Sequence, residues 1–438
     1  MPEQYTQFIS EASQKLADVL FAEVPAEQLE RVQLADQTAA VILRRIGHQA
    51  MRLLFERLTR QVTAEAKRAG YTVERRPSIR VAVLFGPLEI ESPYLVRPVG
   101  RGLRPVKERL KIRHGSRTPA VERALTDFGA EESFAQAAVR FQEHYGWEIG
   151  SSTVLRVVEG VAAHAEKYLA ARLAEARQPY TLPLAQRRGV AELLVELDGC
   201  EIRTVFCYQE LNEESGEVRR KRKMDWKEVR VGLTGRLESA RRTYVAKLGS
   251  YPQVCEELFS AAIMEGLSAR TKVIGVADGG HGLREELEAH FPGLQFILDK
   301  SHLISHLSET AEALGFEESQ RQRWVDEKLA RISAGEVQSV IKELRRKRRK
   351  CARLKCLIGY LERFQDAVWY DEYQARGYPI GSGEVESAHR YIPQKRLKIP
   401  GASWLPETVN EMLALRVIRA NGWWAEFWKQ RQVECLAA

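Results

Sequence analysis

Apolar residues recur at helical spacing from Glu27 to Arg68, at Leu29, Val32, Val41, Ile42, Ile46, Met51, Leu54 and Leu58 among others, and the pattern stops near Gly70. Residues 5–69 therefore read as helices, and one this long needs a helical partner, in this chain or in a second copy. From residue 71 to 98 the period shortens to near-alternation. Arg80-Val-Ala-Val-Leu-Phe and Leu88-Glu-Ile-Glu-Ser-Pro-Tyr-Leu, joined by Gly86-Pro87, predict a hairpin. Helical spacing returns over 118–146 and 152–175, on either side of Trp147-Glu-Ile-Gly-Ser, with Gly146 as a stop and Ser152 or Thr153 as a cap. The pair resembles a helix-turn-helix whose second helix would present Ser152, Thr153 and Arg156 to a DNA major groove, although two helices joined by a short turn occur in any helical domain.

Beyond residue 190 strands and helices alternate. Ala191–Tyr208 fits a strand, Lys227–Leu248 two more, Pro252–Gly266 an amphipathic helix, and Val273–Asp278 a strand. His281–His290 fits a helix and Leu294–Asp299 a last strand, after which residues 300–375 read as helices throughout. The fold class expected is α/β: a ribonuclease-H-like catalytic core interrupted by an all-helical insertion, with a mainly helical N-terminal DNA-binding region. The divisions expected are 1–70 (helical), 71–117 (hairpin and basic segment), 118–180 (helix-turn-helix), 190–300 (first part of the core), 301–375 (insertion) and 376–438 (final catalytic helix and C-terminal helices).

Three acids on that plan point to chemistry. Asp198 ends the apolar run Ala191-Glu-Leu-Leu-Val-Glu-Leu-Asp198, Asp278 ends Val273-Ile-Gly-Val-Ala-Asp278 before Gly279-Gly280, and Glu386 follows Gly381-Ser-Gly383 in the first turns of a helix. Two strand-end aspartates and a helical glutamate can hold two divalent cations about 3.5–4 Å apart, one activating a nucleophile and one stabilising the leaving oxygen of a phosphodiester. Mg²⁺, or Mn²⁺, suits such oxygen ligands. Singly, each acid has a plainer reading, because strand-end aspartates form turns and early-helix glutamates complement the helix dipole. It is the combination that favours a metal site.

Composition narrows the class. At 438 residues the chain has room for two to four domains, and its hydrophobic fraction of 44% is that of a globular protein. No apolar stretch approaches the roughly 20 residues of a membrane span, and Met1-Pro-Glu-Gln-Tyr-Thr lacks the plan of a secretion signal. Six cysteines without C-x-x-C spacing argue for reduced thiols in a cytoplasm and against both a disulfide scaffold and a cysteine-based zinc site. The net charge of +8 is gathered at Arg101–Arg117, Arg219–Lys223, Arg345–Lys350 and Arg390–Lys398. Separate basic patches suit a protein that wraps DNA, though any one of them fits a solvated face equally well.

With these motifs in place, the chain resembles DDE transposases of bacterial insertion sequences, of the ISKra type and more distantly Mutator-like, from about residue 80 to 430. The resemblance is carried by Glu196-Leu-Asp-Gly-Cys200, Asp225-Trp-Lys-Glu-Val-Arg-Val-Gly232, Val276-Ala-Asp-Gly-Gly280 and Phe296-Ile-Leu-Asp-Lys-Ser-His302. Pro379-Ile-Gly-Ser-Gly-Glu-Val-Glu-Ser387 and Leu413-Ala-Leu-Arg-Val-Ile-Arg-Ala-Asn-Gly-Trp-Trp424 continue it. It implies that Asp198, Asp278 and Glu386 form the catalytic, metal-binding triad, and that Asp299-Lys-Ser-His302 falls on the family's Asp-x-x-His element, making His302 a further catalytic candidate. Many relatives carry a cysteine cluster after the N-terminal hairpin. Tyr94–Lys107 has none, so no zinc finger is expected there.

Other motifs fit less well. His281-Gly-Leu-Arg284 matches the H-x-x-R of tyrosine recombinases, but the next tyrosine, Tyr360, lies beyond a helical block. His302 and His306 have zinc-ligand spacing without the glutamate of H-E-x-x-H. Trp423, Trp424 and Trp428 read as a seal between a C-terminal helix and the core. The expectation is a DNA transposase that cleaves and transfers strands at its element's terminal inverted repeats into target DNA, acting as a homodimer or higher oligomer. Arg390, Lys395, Arg396 and Lys398 would contact phosphates. A structure-selective nuclease on the same core, or a domesticated DNA-binding regulator, are the alternatives.

Overall fold

The computed structural model describes residues 3–22, 24, 29–178, 183–211, 218–347 and 351–437. Its contacts divide the chain into two units, Met1–Gly129 with Phe134–Val157, and Ala130–Ser133 with Val158–Ala438.

In the first unit, helices α1 (Glu3–Ala22) and α2 (Ala35–Arg68) flank a 3₁₀ turn, Leu29–Leu34, which takes the place of the expected first turns of the long helix. Asp36 in the first turn of α2 complements the helix dipole and favours a start there. Strands β1 (Thr72–Arg75) and β4 (Tyr94–Val96) pair antiparallel, and between them lie β2 (Ser78–Val83) and β3 (Gly86–Glu91). Val83 faces Gly86, so the β2–β3 turn is Leu84-Phe85 and not Gly86-Pro87. Gly86 begins β3 with φ +132°, which only glycine adopts readily. Alternation turns Val81, Val83, Leu88 and Ile90 inward, beneath Phe55 and Val62 of α2 and Val106 of a short helix α3 (Pro105–Arg109). Strand β5 (Ser116–Arg117) adds parallel to β2.

The stretch 118–146 forms two helices where the spacing predicts one, α4 (Pro119–Gly129) and α5 (Phe134–Tyr145). Gly129 weakens the helix and Ser133 is a residue type that favours a fresh start. Helix α6 (Ser151–Glu175) begins one residue earlier than expected, so Ser152 and Thr153 lie inside its first turn; Gly150 O accepts from Thr153 N (2.8 Å).

The second unit is a mixed α/β arrangement around a five-stranded sheet. It comprises β6 (Glu192–Leu211), β7 (Val218–Arg236), β8 (Thr243–Leu248), helix α7 (Tyr251–Met264), β9 (Lys272–Ala277), helix α8 (Leu283–His290) and β10 (Gln295–Leu298), in spatial order β10-β9-β6-β7-β8. β7 and β8 run as an antiparallel meander from β6, whereas β9 and β10 return through helices to lie parallel to it. β7 starts at Val218, nine residues before the expected Lys227, because a charge-rich sequence hides a strand that pairing with β6 supports. Beyond the reach of β8 and β9, β6 and β7 continue as a two-stranded ribbon.

The helical block follows as α9 (Lys300–Ala313), α10 (Glu318–Ser333), α11 (Val337–Arg346), α12 (Ala352–Arg363) and α13 (Tyr370–Ala375). Residues 348–350 of the basic run at Arg345 lie outside the described residues. Then come α14 (Gly383–His389), a π-helical turn Arg390–Gln394, α15 (Lys395–Leu397), α16 (Pro406–Ala420) and α17 (Trp424–Ala437). Two side chains of α16 bond the exposed edge of β8: Asn410 to Leu248 N and O (2.7 and 3.3 Å), and Asn421 to Tyr244 N and O (2.8 and 3.0 Å). They occupy donors and acceptors that an open edge would offer another chain. Trp428 is buried in a cluster with Phe427 and Tyr168, and Trp423 is buried beneath Arg172 (4.3 Å to its ring). No described helix is long and apolar enough to cross a membrane.

Candidate active site

The register of the parallel strands decides where the aspartates meet. Glu196 lies opposite Val276 and Leu298 opposite Ala277, so continuing both pairings brings Asp198, Asp278 and Asp299 level, just past the ends of β9 and β10 and beside an interior position of β6. Each of the first two has one oxygen tied to a following glycine: Asp198 Oδ1 accepts from Gly199 N (2.7 Å) and Asp278 Oδ1 from Gly280 N (2.9 Å). Gly279 is sterically required, since a Cβ there would stand 2.2 Å from the Tyr360 ring.

Helix α14 is fastened over this strand end at four points. Val385 N donates to Glu196 Oε2 (2.8 Å); Glu196 is fully buried, and burial pushes its carboxyl up to about 8. Ser382 N and Oγ both donate to Asp299 Oδ2 (2.6 and 2.5 Å). Arg242, 5% exposed, holds Glu384 in a bidentate pair (2.6 and 2.9 Å). His389 Nε2 stands 3.3 Å from Asp198 Oδ2, an ion pair without aligned hydrogen-bond geometry. Burial lowers the His389 pKa, but its contacts with Asp198 and Cys200 outweigh that and raise it to about 9. Val385, Ala388 and His389 face the sheet, which leaves Glu386 exposed one turn from His389.

Asp299 is a structural anchor. Only 1% exposed, it caps α9 by accepting from Ser301 N and His302 N (2.6 and 3.0 Å) while its other oxygen holds Ser382. Burial alone would raise its pKa; the hydrogen bonds from Ser382 and His302 hold it below the usual value. All its strong acceptor positions are occupied. His302 itself joins Asp278, His306, Tyr360 and Arg363 in lining a cleft of about 510 Å³. The His306 ring lies tilted against Tyr360 (4.3 Å between ring centres), and burial lowers its pKa. The Tyr360 hydroxyl is pushed up by burial beside Asp278, which opposes a phenolate nucleophile. The H-x-x-R pair is absorbed structurally: Arg284 binds Asp366 and Glu288, and His281 meets Arg363 (3.2 Å).

Asp198, Asp278 and Glu386 offer only carboxylate oxygens, the donor set of a hard divalent cation. As the side chains stand, no three His, Cys, Asp or Glu among the described residues converge tightly enough to hold one. Of the basic residues expected to contact DNA, Arg390 and Lys398 are exposed. Lys395 is paired with Glu131 (2.7 Å), and Arg396 is 2% exposed over the Trp404 ring. The buried position of Arg396 corrects its reading as a phosphate contact. Ser152 and Arg156 are exposed and Thr153 is half-buried, all at the head of α6; Arg156 Nε donates to Ser152 O (3.2 Å).

The local pattern gives no role to Glu196 or Arg242, and it places His389 only on the helix face of Glu386. Glu196 carried one signal, being two residues before Asp198 and so on the same face of β6. Arg242 carried none, because its partner is 142 positions away.

No family model and no curated protein matches the chain. Among solved structures, the Drosophila P element transposase strand transfer complex aligns over 72% of this chain and 94% of that one, at 9% identity and a TM-score of 0.34. A likeness at that level carries no argument about fold or function.

Proposed function

We propose that the chain is a DNA transposase that cuts and joins strands at the terminal inverted repeats of its own element, on a ribonuclease-H-like core. The observation that carries this reading is the place where β9 and β10 end beside β6. Asp198 and Asp278 stand level on adjacent parallel strands, and α14 with Glu386 is fastened across the same end through Glu196, Asp299 and His389. The mixed sheet, a three-strand meander with two parallel strands added beside its first strand, supports the core assignment.

Asp198, Asp278 and Glu386 would hold Mg²⁺ or Mn²⁺, which when bound activates a nucleophile and stabilises the leaving oxygen of a phosphodiester. His389, with Nε2 3.3 Å from Asp198 Oδ2, would keep Asp198 oriented, and His302 lines the cleft beside Asp278. Arg390 and Lys398 would neutralise phosphates near α14. The head of α6, with Ser152, Thr153 and Arg156, would read base edges. Two element ends must be brought together, which calls for at least a dimer. The apolar stripe Leu43, Ile46 and Leu53 on α2 is exposed on the side opposite the packed Phe55 and Val62, and fits a helix of a second copy.

Asp198→Asn and Asp278→Asn keep side-chain shape and remove a charge from the site. Each is expected to lower Mg²⁺-dependent nicking of an element-end duplex at least about 100-fold, with gel-shift affinity unchanged. A variant that nicks near the wild-type rate sinks the assignment. If wild-type protein cleaves but never joins ends to target DNA, the activity is that of a nuclease.

A further inference from the structure

The β6–β7 ribbon is two-faced. Residues opposite one another in an antiparallel pair point to the same side, and the register sets Arg203 against Trp226, Val205 against Met224, Cys207 against Arg222 and Gln209 against Arg220. From Arg203 outward that face carries three arginines and no acid, the Glu201–Glu228 pair lying inward of them with Glu228 bound to Arg230; Trp226 is 59% exposed and Met224 42% exposed. No ion pair among the described residues engages Arg203, Arg220 or Arg222. The opposite face satisfies its own charges: Lys221 pairs with Glu210, Lys227 lies over the Phe206 ring (5.2 Å), and Asp225 sits between Lys223 and Lys227 in the alternation. An unbalanced cationic face with an exposed indole, next to a self-neutralised one, is not what a merely solvated ribbon needs.

We propose that the arginine face of this ribbon is a binding site for duplex DNA, lying in the major groove. The inference rests on the reading of the chain as a DNA-acting enzyme and adds a contact surface away from the carboxylates. Its geometry fits: a B-DNA major groove about 12 Å wide admits a two-stranded ribbon, and the stretch from Arg203 to Gln209 is roughly 20 Å long. Arg220 and Arg222 reach phosphates or guanine edges, whereas Trp226 and Met224 offer apolar surface to thymine methyl groups. The groove of duplex RNA is too deep and narrow for the same insertion.

The test uses the full chain and fluorescence anisotropy with a fluorescein-labelled 30-base-pair duplex across a NaCl series. Each phosphate contact contributes a slope of about −0.9 in log K against log salt. The double variant Arg220→Ala/Arg222→Ala is expected to flatten the slope by about 2 and to weaken binding roughly 10–100-fold near 0.1 M salt. Trp226→Ala is expected to weaken binding at every salt concentration without changing the slope, and Trp226→Phe to restore most of the loss. All three positions are exposed, so circular dichroism should match the wild type. An unchanged slope in the double variant overturns the proposal, and so does an equal loss on a duplex RNA of the same length, which would mark a general polyanion surface. Asp198→Asn run in the same series and assayed for Mg²⁺-dependent nicking separates the two readings: a wild-type slope with nicking lost upholds both, and a wild-type slope with nicking retained overturns the carboxylate reading while leaving the ribbon's role to the Arg220→Ala/Arg222→Ala result.

Discussion

Replacing Asp299 by asparagine exchanges one oxygen for an amino group and leaves the rest of the side chain in place. The carboxylate it replaces is 1% exposed and accepts from Ser301 N (2.6 Å) and His302 N (3.0 Å) on one oxygen, and from Ser382 N (2.6 Å) and Ser382 Oγ (2.5 Å) on the other. Asparagine caps a helix as well as aspartate does, so its oxygen keeps the α9 donors and its amino group turns to Ser382. The serine hydroxyl can rotate to accept, but Ser382 N–H then faces another donor. A buried N–H left without an acceptor costs about 1–3 kcal/mol, and loss of charge weakens the remaining bonds, for roughly 3 kcal/mol in all. That is about a hundredfold in the local opening equilibrium. Amide exchange across residues 380–390, read by mass spectrometry, should therefore accelerate about 100-fold, while the β6 and β9 strands keep wild-type protection. Ser382→Ala removes only the hydroxyl and should give about a 5-fold change, from the roughly 1 kcal/mol of one bond. If Asp299→Asn exchanges within about threefold of wild type over that segment, Asp299 does not hold α14 and the positioning argument fails.

Glu384→Gln takes the charge from the partner of a buried arginine and should cost about 1–2 kcal/mol, discounted because Glu384 is 46% exposed. Glu386→Gln should melt like wild type yet lose Mg²⁺-dependent cleavage; thermal unfolding and nicking of the two variants settle it, and the reverse ranking reassigns the third acid. In acid, stability should fall with Asp299. Its folded pKa lies below the ordinary 3.8, so its contribution is present above that value and lost as pH drops through the depressed one. Near-ultraviolet circular dichroism should show this loss in wild type below about pH 4 and a shallower one in Asp299→Asn; identical acid profiles would deny the coupling.

Much of the α/β core was legible in the chain because local pattern and local geometry agree there. Val273–Asp278 and Leu294–Asp299 are short apolar runs bounded by turns, and they fold as β9 and β10 within a residue of each end. The helical block from residue 300 needed only its 3.6-residue period. Where the signal was charge, it misled. The run Arg219–Lys223 reads as a basic cluster, yet it lies in a strand, because hydrogen bonds to β6 and not side-chain burial stabilise that part of β7. Arg396 reads as a phosphate ligand, yet it is packed on Trp404.

Sequence alone determined that Asp198 and Asp278 would close apolar runs in or at strands and that Glu386 would lie in the first turns of a helix, since propensity and alternation act over a few residues. Only the tertiary structure decided that the two aspartates stand level, because strand register is set by pairing between segments 80 residues apart. It also decided what each glutamate of Gly383-Glu-Val-Glu386 does. Helix geometry separated their faces, but which face meets Arg242 and which meets solvent depended on where the β7–β8 turn lay beneath α14. Electrostatic partners are chosen by proximity in space, and proximity between residues 142 positions apart is written nowhere in the local pattern of either.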